Sequence, residues 1–293
     1  MNRPPTRYSS DLTPRPNPEE PSPPPRVSVV VVSHSRADFL RKCLESLEKT
    51  NGRESVQVIV VDNGSWDESL DLEPDFPKVR FFRLPKNFGL TKAMNIGWRA
   101  AEAESILFLH EDTEVEPEAI ERLAAVLETT SEAAAVCPLL VDDTGQPAPQ
   151  LGNLPPDGHW RPAPVAGSDP VVVEYPRGAA LLVRSFVLKS IRQIDERFGQ
   201  FGSDADLAAQ IRRGSRKILL VPEARVRHHG GTHDSALRRA DLLLARAVWV
   251  GKHRGFGAGL WARLTILLGL LASFRFSEFR FMLAGQKIDG TQM

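Results

Sequence analysis

Several short polar clusters in this sequence carry side chains that could do chemistry. His110-Glu111-Asp112 follows the apolar run Ile106-Leu107-Phe108-Leu109 directly. A short continuous apolar run suits a strand buried on both faces of a parallel sheet. Polar residues at the C-terminal tip of such a strand stand where open α/β sheets bind ligands. After Pro117, the residues Ile120, Leu123, Ala124 and Leu127 fall at helical spacing, so a helix is expected at once. Strand, acidic tip and helix start make a place to hold a cation and a phosphate, although a βα loop with solvated acids reads the same way. Asp62 ends the run Val56 to Val61 and is placed for a ribose or base contact, or for an Asp-Asn-Gly turn. Asp204 and Asp206 open a helix that turns Leu207 and Ile211 inward and closes at Arg212-Arg213-Gly214. On their own, these two acids are dipole-favoured caps. His228 and His229, ahead of Gly230 and Gly231, offer imidazoles to a metal.

The elements that position these clusters can be read from the apolar spacing. Val27 to Val32 is a first strand, broken by Ser33-His34-Ser35-Arg36. Ser35 is expected to cap a helix whose inner face is Leu40, Cys43, Leu44 and Leu47. Val56 to Val61 and Val79 to Leu84 are further strands. Lys86 to Lys92 then leads into a helix with Met94, Trp98 and Ala101 on one side. Asn87 lies in this loop, and Gly89 permits close backbone approach to a ligand. Lys92 sits in the helix's first turn, where the dipole disfavours a cation, which suggests a bound phosphate, although a solvated lysine is the commoner reading. Asn95 faces either a ligand or solvent. Strand-helix-strand-strand-helix-strand is half of a doubly wound α/β sheet. No Gly-x-Gly-x-x-Gly or Walker sequence follows any strand, which disfavours dehydrogenases and P-loop enzymes. Beyond it, strands are expected at Ala135 to Val141, Val171 to Tyr175, Leu181 to Val183 and Ile218 to Val221, with a long loop from Asp142 to Pro170.

Composition excludes some functions. The 37 basic and 37 acidic residues balance, so no electrostatic footprint for nucleic acid exists. Cys43 and Cys137 show no ligand spacing and read as small buried hydrophobes in a reducing compartment. No secretory signal is visible, and a cytoplasmic location is expected. Residues 1–26 are Pro-rich and read as a disordered tail. Residues 237–293 read as an amphipathic helical extension. Within it, Leu260 to Phe274 falls short of the ~20 residues that a spanning helix needs. The arginines and phenylalanines that follow suit a membrane surface, while a core helix or an oligomer contact fits equally well.

Taken together, these stretches resemble one family. The pieces are Val27 to Arg36, Asp62-Asn63-Gly64-Ser65, Asn87-Phe88-Gly89 with Asn95, the triplet His110-Glu111-Asp112, Gly202 to Leu207, and Val221 to Gly231. In this order they resemble the family 2 glycosyltransferases of the GT-A fold, especially bacterial rhamnosyltransferase-like members, over about Val27 to His233. The resemblance implies an α/β, Rossmann-like nucleotide-binding domain with helices on both faces, spanning residues 27–236. It implies an inverting, hexosyltransferase-type enzyme that moves a sugar from a nucleoside-diphosphate-sugar donor to a hydroxyl of a glycan or lipid-linked acceptor. The expected product is a cell-surface polysaccharide or glycolipid.

The resemblance also implies roles for individual residues. Asp62 matches the contact to the donor's nucleobase, and Ser33 and His34 line that pocket, His34 in place of a more usual tyrosine. Asn87, Gly89, Lys92, Asn95 and Glu111 complete the donor-binding set. Asp112 matches the last acid of an Asp-x-Asp-type motif that binds a divalent ion, Mg²⁺ or Mn²⁺. His110 and Glu111 depart from that motif, and His228 matches a histidine that completes some metal sites. Asp204 matches the catalytic base, with Ser203 where a glutamate is usual. The altered triplet leaves a second expectation open, a non-catalytic relative that binds nucleotide-sugar or glycan. A nucleotidyltransferase is disfavoured because no glycine-rich basic loop follows the first strand.

Overall fold

The β-branched runs form strands, and their register brings the polar tips together. The structure is a computed structural model that describes residues 23–164, 167–230 and 235–288. Most of the Pro-rich tail, residues 1–22, lies outside the described residues, as does Gly231 to Asp234. The elements run β1 (Val27–Ser33), α1 (Ala37–Glu48), β2 (Val56–Asp62), β3 (Val79–Arg83), α2 (Leu90–Arg99), β4 (Ser105–His110), β5 (Thr113–Val115) and α3 (Ala119–Thr129). They continue with β6 (Ala133–Val141), β7 (Pro149–Leu151), β8 (Arg161–Pro162), β9 (Val171–Val173), β10 (Ala180–Arg184), α4 (Ser185–Ile191) and α5 (Ser203–Arg213). The last are β11 (Lys217–His228), α6 (Ala236–Arg254), α7 (Phe256–Ala272) and α8 (Phe276–Leu283).

Among the described residues, one large sheet runs β3-β2-β1-β4-β10-β6-β11-β5, with β9 on β11. Its first four strands are parallel, as the strand-helix alternation requires. Ser33 pairs with Asp62, and Val32 with His110, so those tips end together on one edge. β10 then inserts antiparallel between β4 and β6. The fold is the GT-A type of mixed α/β sheet.

Two local differences from the sequence reading matter for the site. The helix expected after Pro117 begins at Ala119, but an unforeseen strand precedes it: Thr113–Val115 pairs antiparallel with β11, setting His228 opposite Thr113. Three residues are too few to show a period. The second difference is β11, which does not stop at Val221. Pro222 cannot donate to the ladder, and the strand passes it through an irregularity between Val221 and Arg225, then runs on to His228. The sequence-predicted loop from Asp142 to Pro170 also contains the small β7–β8 pair.

Apolar clusters pack both faces of the sheet. Leu40, Leu44, Leu123 and Leu127 cover one face, and Val187, Leu188, Leu207, Ile211 and Trp249 cover the other. α6 is built into the second cluster, with Trp249 donating its ring N–H to the Ala205 carbonyl at 3.2 Å. α2 lies so close to β1 and β2 that a Cβ on Gly97 would meet Val30 Cγ1 at 2.3 Å and Val61 Cγ2 at 3.1 Å. Gly97→Val is therefore expected to destabilise the fold by about 1–3 kcal/mol through overpacking. A thermal melt with an unchanged or raised midpoint would show that α2 can lift from the sheet.

Candidate active site

The β4 tip and the end of β11 build a cluster of nitrogen and oxygen donors. One ligand atom each from His110, Asp112 and His228 lies within 4.8 Å of the others. Asp112 Oδ1 sits 3.4 Å from His228 Nε2 and 3.9 Å from His110 Nδ1. That oxygen is buried with no hydrogen-bond partner. A buried carboxylate oxygen without a donor is costly unless something else satisfies it, and a divalent cation between the two imidazoles would do so. The donor set fits: two imidazoles and a carboxylate suit a transition-metal ion, and Mn²⁺ better than Mg²⁺. Burial raises the Asp112 carboxyl, but His228, His110 and Arg36 outweigh it and hold the group well below its usual range. The Asp112 carbonyl also accepts from the His229 N–H at 3.0 Å, which ties β11's end to the cluster.

Arg36 closes the other side of Asp112. Its guanidinium donates to Asp112 Oδ2 at 3.0 Å and lies 4.0 Å from Glu111 Oε1, stacked 4.2 Å from the Phe39 ring centroid. Burial, reinforced by the Asp112 charge, pushes Glu111 up to about 7. His229 is spoken for elsewhere, between Asp143 at 2.6 Å and Glu114 at 2.7 Å. The pair His228-His229 thus divides, with one imidazole in the cluster and one on the neighbouring acids.

The tips of β1 and β2 form a second group. Ser33 Oγ and Asp62 Oδ2 are buried without hydrogen-bond partners, at positions paired in register. His34 Nδ1 lies 3.1 Å from the Asn63 carbonyl. Asn63 holds the loop before α2: its amide donates to Asn87 Oδ1 at 2.9 Å and accepts from the Phe88 N–H at 2.9 Å. Gly89 has φ 86°, a conformation that favours glycine, and its N–H donates to Asn87 Oδ1. Lys92 is exposed and stands 4.5 Å from the Phe88 ring centroid.

Two expectations are corrected here. Asn95 faces neither ligand nor solvent. Its amide is fully buried, donating to the Ile194 carbonyl and Glu196 while accepting from the Trp98 ring and the Ile194 N–H. All its hydrogen-bonding capacity is used in clamping α2 to the chain before α5. Ser35 does not cap α1, since Arg36 is the N-cap residue without a side-chain bond. Ser35 instead takes φ 51° and bonds Ser65 and the Trp66 N–H.

Asp204 opens α5 on the far side of the cluster. Its Oδ1 accepts from the Tyr175 hydroxyl at 3.0 Å and the Ala205 N–H at 2.8 Å, and its Oδ2 from the Gly178 N–H at 3.2 Å. A Cβ on Gly178 would lie 2.9 Å from Asp204 Cβ, so glycine is what admits the carboxylate there. Burial outweighs these donors and raises the Asp204 carboxyl above its ordinary value. Tyr175 is driven well above its own by burial and by Asp204, so it remains a donor. Asp206 is structural, holding Lys252 and His253 at 2.8 Å each. Asp204 and His110 line the same cleft of about 280 Å³, with Ser203 in its wall.

Residues 28–164 match the family model for glycosyl transferase family 2. That stretch, just under half of the chain, is what the chain shares with family 2 glycosyltransferases. Asp204 and His228 lie beyond the matched residues. The O-antigen biosynthesis protein RfbC of Myxococcus xanthus is 28% identical over 244 residues, 77% of this chain and 19% of that protein. The succinoglycan biosynthesis protein ExoO of Rhizobium meliloti is 35% identical over 102 residues, 34% of this chain and 29% of that protein. The chain thus spans less than a third of the length of either relative. Among solved structures, GalNAc-T7 with UDP, GalNAc and Mn²⁺ superposes with a TM-score of 0.64 at 19% identity, covering 78% of this chain and 48% of that one.

The cluster, the strand tips and the cleft also bring together residues not singled out from the sequence as site members. Arg36, Asn63, Tyr175, Arg177 and Arg238 all touch the cluster, the β-strand tips or the cleft. Arg177 had one signal, its place beside the small residues Gly178 to Ala180. Arg36 and Asn63 stood inside stretches that carry the family resemblance, while Tyr175 and Arg238 had no signal, because each acquires its place from contacts distant in sequence.

Proposed function

We propose that this chain is an inverting glycosyltransferase that moves a hexose from a nucleoside-diphosphate-sugar to a hydroxyl of a glycan or lipid-linked acceptor, in cell-surface polysaccharide or glycolipid synthesis. The observation that carries the reading is one cleft shared by a donor-braced carboxylate, Asp204, and the His110 edge of a cation-binding cluster. The names of the relatives, O-antigen and succinoglycan biosynthesis, support the product class. The UDP and Mn²⁺ held by the structural neighbour support the donor class.

Inverting transfer is one displacement at the anomeric carbon. The acceptor oxygen forms the new bond while the bond to the diphosphate breaks, and the acceptor's proton must leave. Asp204 takes that proton, and Tyr175 and Gly178 fix the carboxylate's direction. Asp62, Ser33 and His34 bind the nucleobase and ribose end. The loop at Asn87 and Gly89, with Lys92 and Glu111, lies toward the phosphates and sugar. His110, Asp112 and His228 would hold a divalent ion, which supplies positive charge for the departing diphosphate. The test is a donor panel assayed for hydrolysis and transfer with Mn²⁺ and with chelator. Hydrolysis of no donor under either condition would sink the catalytic reading.

A second reading, a non-catalytic nucleotide-sugar or glycan binder, draws on the Arg36–Asp112 ion pair. It already brings a positive charge to the acid that the metal would use. Donor binding without hydrolysis in Mn²⁺ would favour it.

We also propose that the outer face of α7 lies on the cytoplasmic membrane surface. Among the described residues no helix is long and apolar enough to cross a membrane. Trp261 (67% exposed), Leu268 (57%) and Phe274 (79%) nevertheless face outward. The one acid described after α6, Glu278, is buried under Arg239 and Arg275, which leaves the rim basic and complementary to anionic headgroups. Trp261→Glu with Leu268→Glu should abolish co-flotation with anionic liposomes while leaving donor binding intact. A wild-type chain that fails to float, or a variant that floats equally, overturns this. A dimer that the double variant splits would assign the face to a second copy.

A further inference from the structure

The cleft holds two cations that the transfer reaction, as described above, leaves without a task. Arg177 and Arg238 both line it beside Asp204. Neither forms an ion pair with a carboxylate among the described residues. Each guanidinium rests instead on an aromatic ring, Arg177 at 5.5 Å from the Trp160 centroid and Arg238 at 4.8 Å from that of Phe201. Arg238 also stands in the first turn of α6, its N–H capped by Ser235 Oγ at 3.1 Å. The positive end of a helix disfavours a cation there. Asp241, one turn on, offsets this only in part and makes no ion pair with Arg238: its carboxylate accepts from the Gln200 N–H at 2.8 Å and packs against Gly199. Burial and the Arg177 charge both lower the affinity of Arg238 for its proton. Two like charges converging in a part-buried cleft are unfavourable until an anion joins them.

The position of the pair indicates which anion. Tyr175 and Gly178, the neighbours of Arg177, are the groups that brace Asp204. The wall beside them is Trp160, tilted at 52° against Tyr175 with ring centroids 5.0 Å apart, a surface for a sugar ring. The strand tips assigned to the nucleotide lie across the His110 cluster from this wall. We infer that Arg177 and Arg238 form the acceptor subsite and bind a phosphoryl group on a saccharide acceptor, with the sugar ring seated on Trp160 and its hydroxyl directed to Asp204. Guanidinium forks match phosphate oxygens in pairs, and two of them suit a dianion. The inference rests on Asp204 being the base that faces the acceptor.

Calorimetry on the full chain tests it, with glucose 1-phosphate and inorganic phosphate as probes, before and after saturation with UDP and Mn²⁺. Glucose 1-phosphate should bind in both states, and methyl glucoside should not. Arg177→Gln and Arg238→Gln should each weaken the phosphate probes about tenfold or more, with UDP affinity unchanged and melting curves like the wild type. The lysine variants should recover part of the loss. The inference is overturned if neither phosphate probe binds, if UDP displaces both, or if the glutamine variants lose UDP affinity, which would assign the arginines to the donor's diphosphate. Should the chain bind no UDP at all, the donor reading fails, while the phosphate probes still report on the arginines.

Discussion

Asp204→Asn is expected to lower turnover about 10²-fold or more while leaving donor affinity nearly unchanged. The amide keeps the shape of the carboxylate, and its oxygen can still accept from Tyr175 and Ala205; only the bond from the Gly178 N–H is lost, so the cleft should persist. On the proposed mechanism what is lost is the proton acceptor, needed only as the new bond forms, so the defect belongs in kcat rather than in binding. The same residue sets a pH signature. Its carboxyl is raised by burial, and the base works only when deprotonated. Turnover should therefore be full at high pH and fall as pH drops through a value above the ordinary carboxylate range. Tyr175→Phe removes one donor to the anion and should move that limb further up. A variant with near-normal kcat, or a wild-type profile flat through this range, would remove Asp204 from the role of base.

The parts of the site legible in the sequence are those that a single element supplies. Continuous apolar runs marked β1, β2 and β4, and their parallel register then had to bring Ser33, Asp62 and His110 to one edge. Asp204 was legible as a helix start, and a family pattern was needed to single it out from Asp206, whose carboxylate holds Lys252 and His253. What could not be read depends on long-range pairing. Asn95 looks like a site residue until Ile194 and Glu196 consume its amide from about a hundred residues away. β11 looks finished at Pro222, because its continuation depends on β5 and β6, not on its own propensity. Arg36 reads as a strand breaker, and its ion pair with Asp112 exists only once β1 and β4 are neighbours. Local physics fixes elements and tips, while the partners of each charge come from topology.

Asp112→Ala should weaken binding of UDP by about 10²-fold in Mn²⁺ and by little in chelator. Loss of a group that merely orients a metal ligand costs about 10–100-fold, so loss of a ligand belongs at or beyond the upper end. The motive is Asp112 Oδ1, buried, without a hydrogen-bond partner and between two imidazoles. Its sister oxygen is held by Arg36, which decides how the site answers to metal. An ion that shares Asp112 with a guanidinium binds more weakly than one that has the carboxylate alone. Arg36→Gln should accordingly tighten Mn²⁺ itself, read by calorimetry without nucleotide. Mn²⁺ should exceed Mg²⁺ in both proteins, because two of the three donors are imidazole nitrogens. The fold should tolerate the alanine, since Arg36 keeps its contact with the Phe39 ring and lies within 4.0 Å of Glu111. Equal losses of UDP affinity in Mn²⁺ and in chelator would show that Asp112 is no ligand. Arg36 would then be the standing positive charge at this strand tip, and the site would work without a metal.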